Sequence, residues 1–142
     1  MADFYELLAH VELPKFVKIK YKMRQPHIED IPKEMHEAIN RADVWKRVKP
    51  GMRIAVTAGS RQMGEYQAIL KSLIDELKAT GADIFLVPAM GSHGGATAEG
   101  QRSVLAEYGI TEETMGIPIY SSMETVFLGV ADNGMEVRMD RN

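Results

Sequence analysis

The chain has 142 residues, room for one αβ core and not for a second large domain. Its residues are 45% hydrophobic and 26% charged, the balance of a soluble globular protein, and no apolar run is long enough to cross a bilayer, so no membrane span is expected. A net charge of -3 supplies no basic field for nucleic acid, and zero cysteines exclude disulfides, thiolate metal ligands and cysteine nucleophiles.

Met1-Ala2-Asp3-Phe4-Tyr5 lacks the basic and apolar stretches of a secretory signal, which leaves the cytoplasm as the default compartment. Residues 1–13 place Phe4, Leu7, Leu8 and Val11 on one side of a short helix that Pro14 ends. From Phe16 to Met23, Phe16, Val17, Ile19 and Tyr21 alternate with Lys18, Lys20 and Lys22, the pattern of an edge strand with one wet face. Asp30 caps a helix that has Pro32 in its first turn and a modest apolar face of Met35, Ala38 and Ile39, and Pro50-Gly51 closes the segment as a turn.

The centre is more informative. Arg53-Ile54-Ala55-Val56-Thr57 reads as a buried strand running directly into the loop 58–64. The helix that follows, Glu65 to Thr80, carries Tyr66, Ile69, Leu70, Leu73, Ile74 and Leu77 at helical spacing, and Gly81 ends it. Ile84-Phe85-Leu86-Val87 is a second apolar strand, so residues 53–88 form a right-handed strand-helix-strand unit with parallel strands. Thr97 caps a third helix that buries Val104, Leu105 and Tyr108, Thr111 caps a short turn, and Ile117 to Tyr120 reads as a further short strand. Thr125–Val130 and Glu136–Met139 flank Asp132-Asn133-Gly134, a hairpin signature. The expected class is therefore α/β, a Rossmann-like βαβ core with a mostly parallel sheet and a C-terminal β-hairpin.

Chemistry concentrates in Met90-Gly91-Ser92-His93-Gly94-Gly95-Ala96-Thr97, between the end of a parallel strand and the start of a helix, where open αβ sheets bind ligands. Gly91, Gly94 and Gly95 let a ligand approach the backbone, and amides at the helix start favour an anion. The segment has neither the Gly-Lys-Ser/Thr of a phosphate-binding P-loop nor the Gly-x-Gly-x-x-Gly spacing of dinucleotide folds. His93 either moves a proton for a substrate or bonds a loop carbonyl, and spacing leaves both open. Arg61, in the loop after the first strand, either clamps an anion beside His93 or pairs with Glu65 across one helical turn. Ser60 either meets a phosphate or, preferably, caps the helix. His10, His27 and His36 sit on surface-like segments with no metal-ligand spacing, and no metal site is expected.

The stretches Ile54–Arg61, Pro88–Gln101, Tyr108–Glu113 and Ser122-Met123-Glu124 together resemble the N-terminal region of the lactate racemase family and its nickel-pincer-dependent isomerase relatives. The resemblance covers roughly residues 49–142 and is strongest over 88–101. It implies an acid/base role for His93 and a cofactor-phosphate or substrate role for Arg61, with Ser60, Gly91, Ser92, Gly94, Gly95 and Thr97 on the cofactor. The implied reaction inverts a 2-hydroxy acid carbon by reversible hydride transfer to a nickel-bearing pyridinium nucleotide.

The chain departs from the racemases at Ala58-Gly59-Ser60 and Gln62, where an acidic residue and a proline are usual, and at Gly94, where an arginine is usual; both weigh against lactate as substrate. The family's nucleotide-tethering lysine, nickel-ligating histidine and second acid/base histidine belong to downstream segments. Residues 1–142 are accordingly expected to be the N-terminal portion of such a domain, inactive alone, with no nickel-pincer nucleotide stably bound and an exposed apolar face that favours self-association. Two other readings use the same residues: a non-catalytic domain that binds a small anion or nucleotide, and a structural module in which the glycine loop only turns.

Overall fold

A computed structural model describes residues 9–12, 15–23, 27–61 and 63–142. The expected helix over residues 1–13 lies largely outside them. The first helix, α1 (Ile31–Arg41), begins as its sequence dictates: Asp30 accepts from the Lys33 amide at 3.0 Å, and proline occupies the first turn. It packs on α2 (Tyr66–Ala79), with His36 Nδ1 3.0 Å from Glu76 Oε1.

The expected strand over 16–23 is not formed. Phe16, Val17, Ile19 and Tyr21 are exposed and residues 15–23 pair with no strand. Alternation gives a segment two unlike faces, but a strand also needs a neighbouring ladder for its backbone groups, and among the described residues this segment has none.

The strand-helix-strand unit is present. β1 (Arg53–Ala58) and β2 (Asp83–Pro88) pair in parallel, Arg53 opposite Asp83 through Ala58 opposite Pro88, with α2 as the crossover. Gly81, at φ +77°, follows the helix in the left-handed region that glycine tolerates best. Val56, Ala58, Ile84 and Leu86 point to the helical side and join Leu70, Ile74 and Leu77 of α2 in the core. Leu105 comes from α3 (Ala98–Glu107) and Met115 from the single turn α4 (Glu112–Met115), which Thr111 and Thr114 close as a reciprocal cap.

On the opposite side of the sheet, Arg53, Ala55 and Thr57 are exposed, and the Arg53 guanidinium lies 4.4 Å from the centre of the Phe85 ring. The expected strand at Ile117–Tyr120 is reduced to one parallel bridge, Leu86 to Ile119. Pro118 accepts from the Leu86 amide at 2.9 Å but has no N–H to return, so the ladder stops there. The hairpin of β3 (Thr125–Val130) and β4 (Glu136–Asp140) forms as expected, with a register shift between Phe127 and Gly129. The architecture is a mixed α/β one, with a two-stranded parallel sheet and a separate antiparallel hairpin in place of one mostly parallel sheet.

Candidate functional site

Parallel pairing sends the chain out of β1 and β2 at the same edge, and the last rung joins the two exits: the Ala89 amide donates to Ala58 O at 2.7 Å. One loop carries Ser60 and Arg61 and the other carries Ser92 and His93.

The first loop is fastened by two tyrosines. Tyr66 Oη accepts from the Gly59 amide at 2.9 Å, and Tyr108 Oη donates to Ser60 O at 2.8 Å. Arg61 is exposed and, among the described residues, its side chain makes no hydrogen bond or ion pair, so the expected alternative of a pair with Glu65 is absent. Ser60 does not cap the helix, contrary to the preferred expectation. α2 starts six residues beyond Ser60, after Glu65, which sits in the left-handed region at φ 57° with no side-chain cap.

The second loop is bound to α3. Thr97 Oγ1 accepts from the Gly100 amide at 3.0 Å and donates to Gly94 O at 3.1 Å. Thr97 is therefore the expected N-cap, and its hydroxyl is already engaged within the loop. The first turn of α3 is partly satisfied from inside, which weakens the expectation that its amides meet an anion. The glycines divide by role. A Cβ on Gly94 would lie 2.5 Å from the Gly100 carbonyl carbon, whereas a Cβ on Gly91 or Gly95 would have nothing within 4 Å. Gly94 is needed for packing; Gly91 and Gly95 leave backbone open to solvent.

Gly91, Ser92 and His93 are exposed, and the amides of Gly91 and Ser92 donate to no group among the described residues. The expected alternative of a His93 side chain tied to a loop carbonyl is not formed among the described residues: only its backbone is engaged, the amide donating to Met90 O at 3.2 Å and the carbonyl accepting from the Ala96 amide at 3.4 Å. Sequence reasoning assigned nothing to Gln101, which is 3% exposed and donates through Nε2 to Gly91 O at 2.8 Å. Its position four residues before Leu105, on the buried face, was the available signal.

The pattern defines an α/β unit whose open loops meet at the carboxyl edge of a parallel sheet, the usual place for small ligands in such folds. The chain belongs to the lactate racemase N-terminal domain family, whose model matches residues 6–142. No curated protein and no solved structure matches the chain. Among the described residues, no helix is long and apolar enough to cross a membrane, and no group of three or more His, Cys, Asp and Glu side chains is placed to hold a metal ion.

Proposed function

We propose that this unit contributes one half of the active site of a racemase or epimerase of 2-hydroxy acids and is inactive by itself, forming the first part of a larger Rossmann-like enzyme. The observation that carries this reading is the meeting of two ligand-ready loops at one sheet edge, with the side chains of Arg61 and His93 exposed and unengaged among the described residues. Arg61 supplies a fixed cation for a phosphate or carboxylate. His93 takes and returns the hydroxyl proton at its imidazole, a contribution of roughly 10²–10⁴ in rate.

The phosphate end of the family's nickel-pincer nucleotide fits the open backbone at Gly91 and Gly95, where no Cβ narrows the approach. Ser60, Ser92 and the Gly91 and Ser92 amides stand beside it as donors, while Gly94 and Thr97 act on it indirectly by shaping the loop. When bound, that nucleotide supplies the hydride acceptor for the 2-hydroxy carbon. The metal's ligands are assigned to other segments of the enzyme, as the family resemblance implies.

The test is an NMR titration of the chain with nicotinic acid mononucleotide, alongside Arg61→Ala and His93→Ala. Binding is expected at millimolar ligand, weakened about tenfold by Arg61→Ala through loss of a charged contact and little changed by His93→Ala. No binding by the wild-type chain overturns the half-site. Binding that survives Arg61→Ala moves the phosphate elsewhere.

A further inference from the structure

We propose that α3 is a common strut for the two site loops, with Gln101 and Tyr108 as its positioning residues; this rests on the half-site reading above. Gln101 lies on the same face as Leu105 and Tyr108, where an apolar side chain is the ordinary occupant. Burial of its amide carries a desolvation cost that the bond to Gly91 O offsets. Ser72, the other buried polar residue described, bonds only within its own helix, to Ala68 O. Gln101 instead reaches out of its helix to the residue two positions before His93.

Tyr108, at the other end of α3, reaches Ser60 O, one residue before Arg61. Its ring lies 6.3 Å from that of Tyr66, whose hydroxyl holds Gly59. The two attachment points are seven residues apart, Gln101 within the helix and Tyr108 at its C-cap, roughly 10 Å at about 1.5 Å per residue. A rigid rod of fixed length thus joins the backbone beneath Arg61 to the backbone beneath His93. An anion clamp and a proton carrier acting on one small molecule need a constant separation, and a misplacement of about 1 Å is costly in catalysis.

The experiment uses the chain as it stands. Gln101→Met keeps length and burial but removes the donor, and Tyr108→Phe removes only the hydroxyl. Backbone order parameters from ¹⁵N relaxation are expected to fall at residues 91–94 in Gln101→Met with 60–61 unchanged, and at 60–61 in Tyr108→Phe with 91–94 unchanged. Thermal midpoints should stay close to wild type. Each variant should weaken nicotinic acid mononucleotide binding roughly fivefold, the equilibrium factor of one ordinary hydrogen bond, and the double variant should multiply the two. Unchanged order parameters, or a uniform fall across the chain, overturns the strut, as does undiminished affinity in both variants. A wild-type chain that binds no nucleotide overturns the half-site alone, because the relaxation pattern still decides the strut.

Discussion

The carbonyl oxygen of Gly94 occupies the space that a Cβ on Gly100 would need, so the site loop and the first turn of α3 meet backbone against backbone. Gly94 itself sits at φ +66°. Gly94→Ala therefore combines left-handed strain with a Cβ only 2.5 Å from the Gly100 carbonyl carbon and should destabilise the fold by about 3 kcal/mol. Gly95→Ala has the same φ and open space around it, and should cost only about 1 kcal/mol. Urea denaturation of the two variants checks the contrast; equal losses would mean that the loop is not clamped at Gly94.

Thr97→Ala removes the acceptor for the Gly100 amide and the donor to Gly94 O together. The expected loss is about 1 kcal/mol, with Thr97→Ser restoring most of it. A shift in the denaturation midpoint at constant slope is the readout.

Arg61→Ala and His93→Ala should each change stability by less than about 0.5 kcal/mol, since both residues are exposed and neither side chain is engaged among the described residues. Leu105→Ala, at a position that is 0% exposed, should cost roughly 2–5 kcal/mol. The same thermal scans test both statements. A large loss in Arg61→Ala would point to a structural role.

Phe127, Leu128 and Val130 on β3 are all more than half exposed. We expect the chain to self-associate at high concentration, and Phe127→Ser with Leu128→Ser to reduce that association in sedimentation velocity. An unchanged sedimentation profile would place the contact on another surface.

The elements that could be read from sequence were those whose partners are close along the chain. The stripe from Tyr66 to Leu77, the caps at Asp30, Thr97 and Thr111, and the Asp132–Gly134 turn are set within a few residues, and all appear where expected. The segment from Phe16 to Met23 was misread because a strand is defined by its neighbour, which alternation does not supply. At the site, the sequence is enough to place the glycine loop after an apolar parallel strand, which is where the structure has it. It did not reveal that Gln101 and Tyr108 brace the loops: a glutamine in a helix has no pattern of its own until its distant carbonyl is seen. The cap expected of Ser60 fails for a simpler reason: Glu65 occupies the N-cap position, five residues further on and past the reach of the Ser60 hydroxyl.

The two ladders close very different lengths of chain. β3 and β4 are joined by a short turn and can zip from it in microseconds, as isolated hairpins do. β1 and β2 cannot meet until the whole of α2 has been drawn across between them, and the entropy of that closure is lost before any rung rewards it. Refolding should therefore be paced by docking of α2, which puts Leu70, Ile74 and Leu77 in the folding nucleus and leaves the hairpin kinetically silent. The order in which the molecule assembles makes the edge that carries Arg61 and His93 one of its late products.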